Sequence, residues 1–302
     1  QCWELVRTYE RTGTPCMMLE NVCYGKEELT VLNMIKKGLF GEIVHLEGGY
    51  RHDLRGQVAM GHEFRHYRQR NYLNRNTHNY PSHELLPIMK DIGINRGNRL
   101  LNLVSMSSKA VGVNAYINKY KGADYKNANA AFAQGDVVHT LIKCAHGEVI
   151  SITCDTCLPR PYSRNRVVQG TKGLWSEEKN GVMFDPDIEP KNSDGHAYTP
   201  FDEYYNEHLH PLWKNYEAVG GHGGVDYLVL RAFFESVMNA TKPPIDIYDT
   251  VTVMAVTPLS EMSIANGSMP VAIPDFTNGK WTMREPYDRS KYCLEEVCED
   301  LF

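Results

Sequence analysis

The chain has 302 residues, 42% of them hydrophobic, and a net charge of −5 from 32 basic and 37 acidic side chains. This is enough apolar material to bury a sizeable core in one large or two modest domains, and the mild acidity lacks the one-sided basic excess of a nucleic-acid binder. No apolar stretch approaches the ~18 residues that a membrane span requires. In chain order, "QCWELVRTYERTGTP" places Trp3, Leu5, Val6 and Tyr9 at helical spacing, then stops at Gly13 and Pro15. A chain that opens inside a helix is expected to be a piece of a longer one, with any targeting signal and any further domain upstream of Gln1. "CMMLENVCY" is an apolar run broken by Glu20 and Asn21, the pattern of a buried parallel strand near its functional end. "GKEELTVLNMIKKGLFG" aligns Leu29, Leu32, Ile35 and Leu39 on one helical face, closed by Gly38 and Gly41. Strand, helix and strand in this order predict the tail of a doubly wound α/β domain over residues 1–41.

From residue 42 the pattern changes. "EIVHLEGGYRHDL" reads as a strand leading into a polar loop, and residues 56–81, rich in Arg, Asn, His and Tyr, read as loop. "LLNLVSMSSKAVGVNAYI", "DVVHTLIKCAHGEVISITCDTCL" and "SRNRVVQGTKGLWSEE" read as strands, with "AHGE" a hairpin in which Gly147 adopts positive φ. Residues 180–220 read as irregular. "GVDYLVLRAFFESVMNATKPP" predicts a helix with Leu228, Phe233 and Val237 inside, and "YDTVTVMAVTPLSEMSIANGSMPVAIPDF" a second, kinked or interrupted at Pro258. Residues 42–302 are thus expected to form an α+β domain with a large, mostly antiparallel sheet covered by helices on one face. Ligands of an open sheet lie beyond its strand ends.

Three polar stretches sit where those ends fall. In "NRNTHNYPSHELLPIMKDIG", Asn79 is a favoured helix cap, Pro81 suits a first turn, and Tyr80 and His83 share one face at the positive helix end. Pro87 opposes the carbonyl of His83, which predicts a kink or a later helix start. In "GGYRHDLR", Gly48 and Gly49 permit close backbone approach to a ligand, and Tyr50 and His52 point the same way. Tyr50 serves as a base only with a strongly lowered pKa, for which a cation such as Arg68 is the candidate cause. "GGHGGVD" surrounds His222 with glycines ahead of a helix and places Asp226 in the first turn. It is not a dinucleotide fingerprint, and a helix entrance needing unusual backbone angles explains it equally. The basic group Arg65, Arg68, Arg70 and Arg75 fits a solvated loop or an anion pocket. The eight cysteines are too sparse for a disulfide scaffold. Cys154 and Cys157 read as neighbours in a strand, and the 12 histidines form no His-Glu-x-x-His site.

Four blocks, "MMLENVCYGKEELTVLNMIKKGLFGEIVHLEGGYRHDLR", "RNTHNYPSHELLPIMKDIGINRGNRLLNLVSMSS", "LPRPYSR" and "GGHGGVDYLVLRAFFESV", resemble the NAD-dependent α-N-acetylgalactosaminidases of glycoside hydrolase family 109, within the glucose-fructose oxidoreductase/inositol dehydrogenase/MocA superfamily. The resemblance runs over residues 1–275, and weakens at 118–140 and after 280. It implies that residues 1–41 end an NAD-binding Rossmann domain whose Gly-rich loop lies upstream, and that 42–302 form the substrate domain. It implies hydrolysis of terminal α-N-acetylgalactosamine by oxidation at C3, elimination, addition of water and reduction. The matching positions imply that Tyr50, with His52 beside it, removes the C2 proton, that His83 polarises the C3 oxygen, and that Glu20 faces the reaction centre. Tyr80, Pro81, Ser82, His83, Tyr162 and Arg68 are then expected to contact the sugar, and Asn21 and Arg68 the cofactor. Dehydrogenases of the superfamily carry Asp at the position of Asn79, so the amide here favours the glycosidase branch. Tyr67 stands where Trp is usual, and the loop from His52 to Arg68 is shorter. Two other readings remain open: a sugar dehydrogenase of the same superfamily, and a carbohydrate-binding relative without catalysis. The open sheet face is an expected homo-oligomer surface by analogy.

Overall fold

The computed structural model describes residues 1–188, 196–283 and 287–302. Helices α1 (Cys2–Thr12) and α2 (Lys26–Lys36) precede strand β1 (Ile43–Arg51). Helices α3 (Arg55–Ala59), α4 (Tyr67–Asn74) and α5 (Ser82–Asp91) follow, then β2 (Leu100–Ser107), α6 (Gly112–Tyr120), β3 (Val137–Cys144) and β4 (Val149–Asp155). A run of short strands, β5 (Val167–Gly170), β6 (Gly173–Ser176), β7 (Gly181–Phe184) and β8 (Thr199–Pro200), leads to α7 (Asp202–His208) and α8 (Pro211–Lys214). Helices α9 (Val225–Asn239) and α10 (Ile247–Ala265) and the edge strand β9 (Val271–Ala272) complete the order.

The strands make one nine-stranded sheet, β8-β7-β6-β5-β1-β4-β3-β2-β9. Every neighbouring pair is antiparallel except β1 and β4, which run parallel from His45↔Val149 to Arg51↔Asp155. The architecture is therefore mixed α/β with a mostly antiparallel sheet, as the strand patterns predict. Side chains of β3 alternate as a one-sided sheet requires: Val138, Thr140, Ile142 and Cys144 are buried, while His139, Leu141 and Lys143 face out. The covered face carries α5 against β1 and α10 against β2. Between sheet and helices lies a core that includes Leu46, Leu85, Ile88, Leu103, Ile142, Ile152 and Val253, all fully buried. No helix among the described residues is long and apolar enough to cross a membrane.

Gly48 shows why α5 lies so close to β1. A Cβ at this position would stand 2.8 Å from Glu84 Cβ and 3.1 Å from Ile88 Cδ1. At Gly49 it would stand 3.0 Å from the Thr153 carbonyl oxygen. The two glycines thus admit a helix and a neighbouring strand, not the ligand expected from the sequence. Gly48→Ala is expected to lower stability by about 1–3 kcal/mol through overpacking, read from the midpoint of urea unfolding.

Other expectations are also revised. The apolar run at 16–24 forms no strand: residues 14–20 join no sheet, and Asn21–Tyr24 turn as a 3-10 helix in which Val22 N donates to Glu20 Oε1 at 3.3 Å. Residues 56–81 contain α3 and α4, because polar groups there find internal partners. Gln69 Nε2 donates to the Val58 and Ala59 carbonyls at 2.9 and 3.0 Å, and Tyr72 is buried with Val58, Val113 and Ile117. Residues 112–120 are helix rather than strand, because the Asp136 carboxylate accepts from the amides of Val111 and Gly112 at 3.0 Å or less and caps it. The stretch 180–220 holds β7, β8, α7 and α8, with 189–195 outside the described residues. In α9 the buried positions are Leu228, Val229, Ala232 and Ser236, whereas Phe233 is half-buried and Val237 is 46% exposed. Helix α10 continues through Pro258. The hairpin at Gly147, with φ 107°, forms as expected. All eight cysteines are free.

Candidate functional site

The parallel pairing of β1 with β4 continues past the strand ends. His52 N donates to the Asp155 carbonyl at 2.9 Å and Leu54 N to that of Thr156 at 3.0 Å. Arg51 and Ser163 then exchange backbone hydrogen bonds in both directions, at 3.1 and 2.9 Å. These bonds fold the segment after β4 back over the end of β1. Tyr162 thereby reaches His52, with ring centroids 5.2 Å apart, and Tyr50, at 6.5 Å.

The second wall comes from residues 76–83. Asn79 does not cap α5; its amide donates to Gln134 Oε1 at 2.5 Å, and the helix starts later, at Ser82. A buried polar network holds this segment instead. Ser260 Oγ in α10 accepts from His78 N at 2.8 Å, Thr257 Oγ1 donates to the His78 carbonyl at 3.0 Å, and His78 Nε2 meets Glu84 Oε1 at 2.6 Å, both side chains wholly buried. Tyr80 and His83 are consequently presented on one side. Their rings meet edge-on at 4.8 Å and stand 4.5 Å and 5.6 Å from Tyr50.

Glu20 and Asn21 enter from the turn after α1. Glu20 Oε1 lies 2.7 Å from His83 Nδ1, approaching off the axis of the ring N–H. The carboxylate is almost fully buried. Glu20 thus brings a buried carboxylate from a distant part of the chain to the Nδ1 edge of His83. Asn21 Nδ2 donates to Asp226 Oδ1 at 2.6 Å, and Asp226 Oδ2 meets His222 Nδ1 at 2.8 Å. This holds the glycine-rich turn, in which His222 itself has φ 50°, against the Glu20 segment.

Arg68 supplies the local positive charge. Its guanidinium lies 5.9 Å from the Tyr50 ring, 5.3 Å from Tyr80 and 5.0 Å from Tyr67, and Nη2 reaches Tyr50 Oη at 3.5 Å. Burial nevertheless outweighs this cation, and the Tyr50 phenol is pushed up to about 12. The lowered pKa that a Tyr50 base would need is absent, and the phenol is protonated at neutral pH. Burial, then Arg68, pushes His52 below the ordinary imidazole value, so it is neutral there. Its Nδ1 is buried without a hydrogen-bond partner among the described residues.

Of the residues singled out in the sequence, Glu20, Asn21, Tyr50, Tyr80, Pro81, Ser82 and His83 line one hollow of about 460 Å³. His52, Arg68 and Tyr162 stand behind or beside its rim, in contact with Tyr50. Five further residues complete the lining: Met18, Leu19, Asn79, His222 and Met254. The signal for His222 was present in its flanking glycines and in Asp226 four residues on; nothing in the pattern marked Met254. Glu20 is the one carboxylate lining this hollow among the described residues.

The family model described as "Glycosyl hydrolase 109, C-terminal domain" matches residues 24–283. A "Glycosyl hydrolase family 109 protein" of Stenotrophomonas maltophilia is 41% identical over 94% of this chain and 66% of its own length. An "Alpha-N-acetylgalactosaminidase" of Tannerella forsythia is 37% identical over 95% of this chain and 64% of its own length. The chain thus spans just under two thirds of the curated relatives it matches. A levoglucosan dehydrogenase solved with NADH and levoglucosan superposes with a TM-score of 0.60 at 16% identity, covering 90% of this chain and 70% of that one. At that identity the likeness is one of fold.

Proposed function

Because this chain belongs to glycosyl hydrolase family 109, we propose that its hollow is the sugar-binding part of an NAD-dependent glycosidase that removes terminal α-N-acetylgalactosamine. In this reading residues 1–41 close the cofactor domain and 42–302 form the substrate domain. The observation that carries it is the single carboxylate of the hollow, paired with a histidine and ringed by tyrosines. Hydrolysis of the usual kind needs two carboxylates flanking the bond, at about 5–5.5 Å or 6.5–9.5 Å. A hollow with Glu20 alone suits proton transfers by His and Tyr.

A nicotinamide cofactor fits beside it, since Met18, Leu19 and Met254 give the hollow an apolar stretch next to Glu20 and Asn21, and Asn21 and Arg68 are the side chains proposed to hold it. Bound there, it supplies a reversible hydride acceptor for C3 of the sugar. The chain's own residues handle the protons. His83, oriented by Glu20, takes the proton of the C3 hydroxyl through Nε2 and returns it. Once C3 is a carbonyl the C2 hydrogen is acidic; the Tyr50–His52 pair removes it as the glycosidic oxygen leaves C1 with its bonding electrons, and water then adds at C1 as the proton returns to C2. His52 supplies the basicity, and the protonated Tyr50 donates a hydrogen bond to the enolate oxygen or relays through its hydroxyl. Tyr80 and Ser82 position the ring, with Tyr162 at the rim beside Tyr50.

The sign of the His52 shift fixes a pH prediction. A base held below its ordinary pKa stays neutral as pH falls through about 6.5. Turnover of the full-length protein is therefore expected to hold through that value and to fall only at lower pH. His52→Asn should lower kcat/KM and change the position of its acid limb. A dehydrogenase would instead accumulate NADH, and a binding protein without catalysis would leave an aryl α-N-acetylgalactosaminide intact. The open sheet face, where Leu141 is 51% and Met106 is 64% exposed, is the surface we propose for self-association.

A further inference from the structure

Beyond the hollow that would take the terminal sugar lies a second of about 550 Å³. The two share Asn21, His83 and His222, so they are neighbouring compartments of one cleft. The second compartment differs in chemistry. Tyr162, Tyr205 and Trp213 give it aromatic faces, and Lys26, Glu27 and Arg164 give it charge.

These groups are held from behind. Trp213 Nε1 donates to the Tyr24 carbonyl at 3.0 Å, and Lys26 Nζ stands 5.1 Å from the Tyr205 ring centroid. Arg164 reaches Glu28 at 2.5 Å and Glu177 at 3.6 Å. Fixed aromatic faces next to planar charged groups suit the apolar C–H face and the hydroxyl edge of a pyranose. A pyranose hydroxyl can donate to a carboxylate such as Glu27 and accept from an ammonium such as Lys26. A dinucleotide diphosphate suits it poorly. It would enter beside Glu27, Glu28 and Glu177, with Arg164 already paired. Burial, and then the charges of Glu28 and Glu177, already push the Glu27 carboxyl up, as expected in a locally negative field.

We propose that this compartment is a subsite for the saccharide unit to which the terminal sugar is attached, so that the protein recognises at least two linked pyranose rings, with Tyr205, Trp213 and Lys26 gripping the second. The inference rests on the glycosidase reading for the identity of the first ring. It extends the substrate class from a terminal residue to a defined linkage.

The test uses unbreakable probes and the full-length protein. One is the methyl C-glycoside of N-acetylgalactosamine. The other is its two-ring analogue, joined to galactose through a methylene bridge. Neither can lose its anomeric substituent, so calorimetric affinities are measured without turnover. The two-ring probe is expected to bind about tenfold tighter, as one added stacking and hydrogen-bonding contact warrants. Tyr205→Ala and Lys26→Ala should each erode that advantage several-fold, with the one-ring affinity changing less. Equal affinity of the two probes overturns the proposal. So does loss of both affinities in parallel in the two variants, or displacement of the two-ring probe alone by nicotinamide mononucleotide. Absence of hydrolytic activity on any substrate would count against the glycosidase reading, while the affinity difference would still decide the subsite.

Discussion

Full-length protein carrying His83→Ala is expected to lose about two to four orders of magnitude in turnover of an aryl α-N-acetylgalactosaminide, the range that a positioned acid–base group supplies. The reason is geometric. Glu20 Oε1 lies 2.7 Å from Nδ1 of His83, while Tyr80 and Tyr50 confine its ring at 4.8 and 5.6 Å. No other imidazole in the hollow is paired with a buried carboxylate, since His222, paired with Asp226, is on an exposed turn. Glu20→Gln keeps the side-chain shape but removes the charge that orients the ring, and should lower turnover with little change in KM. Steady-state rates on purified variants with matched cofactor content check both. Unaltered turnover in His83→Ala would remove His83 from the chemistry.

Asp249→Ala should produce the largest loss of stability, about 3–5 kcal/mol in denaturant unfolding, as expected when a buried charge loses its counter-ion. Lys90 Nζ lies 2.5 Å from Asp249 Oδ2, with the two side chains 4% and 0% exposed. Arg96 forks onto the same carboxylate at 2.7 and 2.9 Å, and its Nη2 and Nε also reach Asp246 at 2.8 Å and Glu295 at 2.5 Å. Asp249 also completes the capping box that starts α10. Removing it leaves two buried cations short of charge and a helix end uncapped. Lys90→Met should cost less, because Arg96 still compensates the carboxylate. The pH dependence follows. Burial would raise the Asp249 carboxyl, but Arg96 and Lys90 overcome this and hold it well below the usual carboxylate range. A carboxyl depressed in the folded state contributes stability above its unfolded value of about 3.9, and loses it as pH falls below that. Wild-type protein should therefore destabilise on acidification more steeply than Asp249→Ala.

The sequence revealed elements whose own residues set their periodicity. The strict alternation of β3 and the glycine turn at 147 needed no distant partner, whereas α2, expected to bury one face, is buried all round over residues 28–34 and ends before Leu39. It misled where a distant partner decides. Val111, Val113, Ala115 and Ile117 alternate like a strand, yet the remote Asp136 carboxylate caps them into α6. In α4 buried surface comes from Tyr72 and Gln69 rather than aliphatic residues, so the helix resembled loop. The site was legible in the same uneven way. Tyr50, Tyr80 and His83 lie in short motifs and converge in space. The pairing of Glu20 with His83 joins segments far apart in the chain, and the level of the Tyr50 phenol depends on how deeply packing buries it. Gly48 was misassigned because a glycine looks alike in sequence whether a ligand or a helix approaches it.

The measurement that bears most directly on the account is hydrolysis of an aryl α-N-acetylgalactosaminide by the full-length protein in D₂O, followed by NMR of the released sugar. Removal and return of a proton at C2 by the Tyr50–His52 pair predicts deuterium at C2, protium kept at C3, and no net accumulation of NADH. A released sugar with protium at C2, formed at full rate by protein stripped of nicotinamide cofactor, would contradict it.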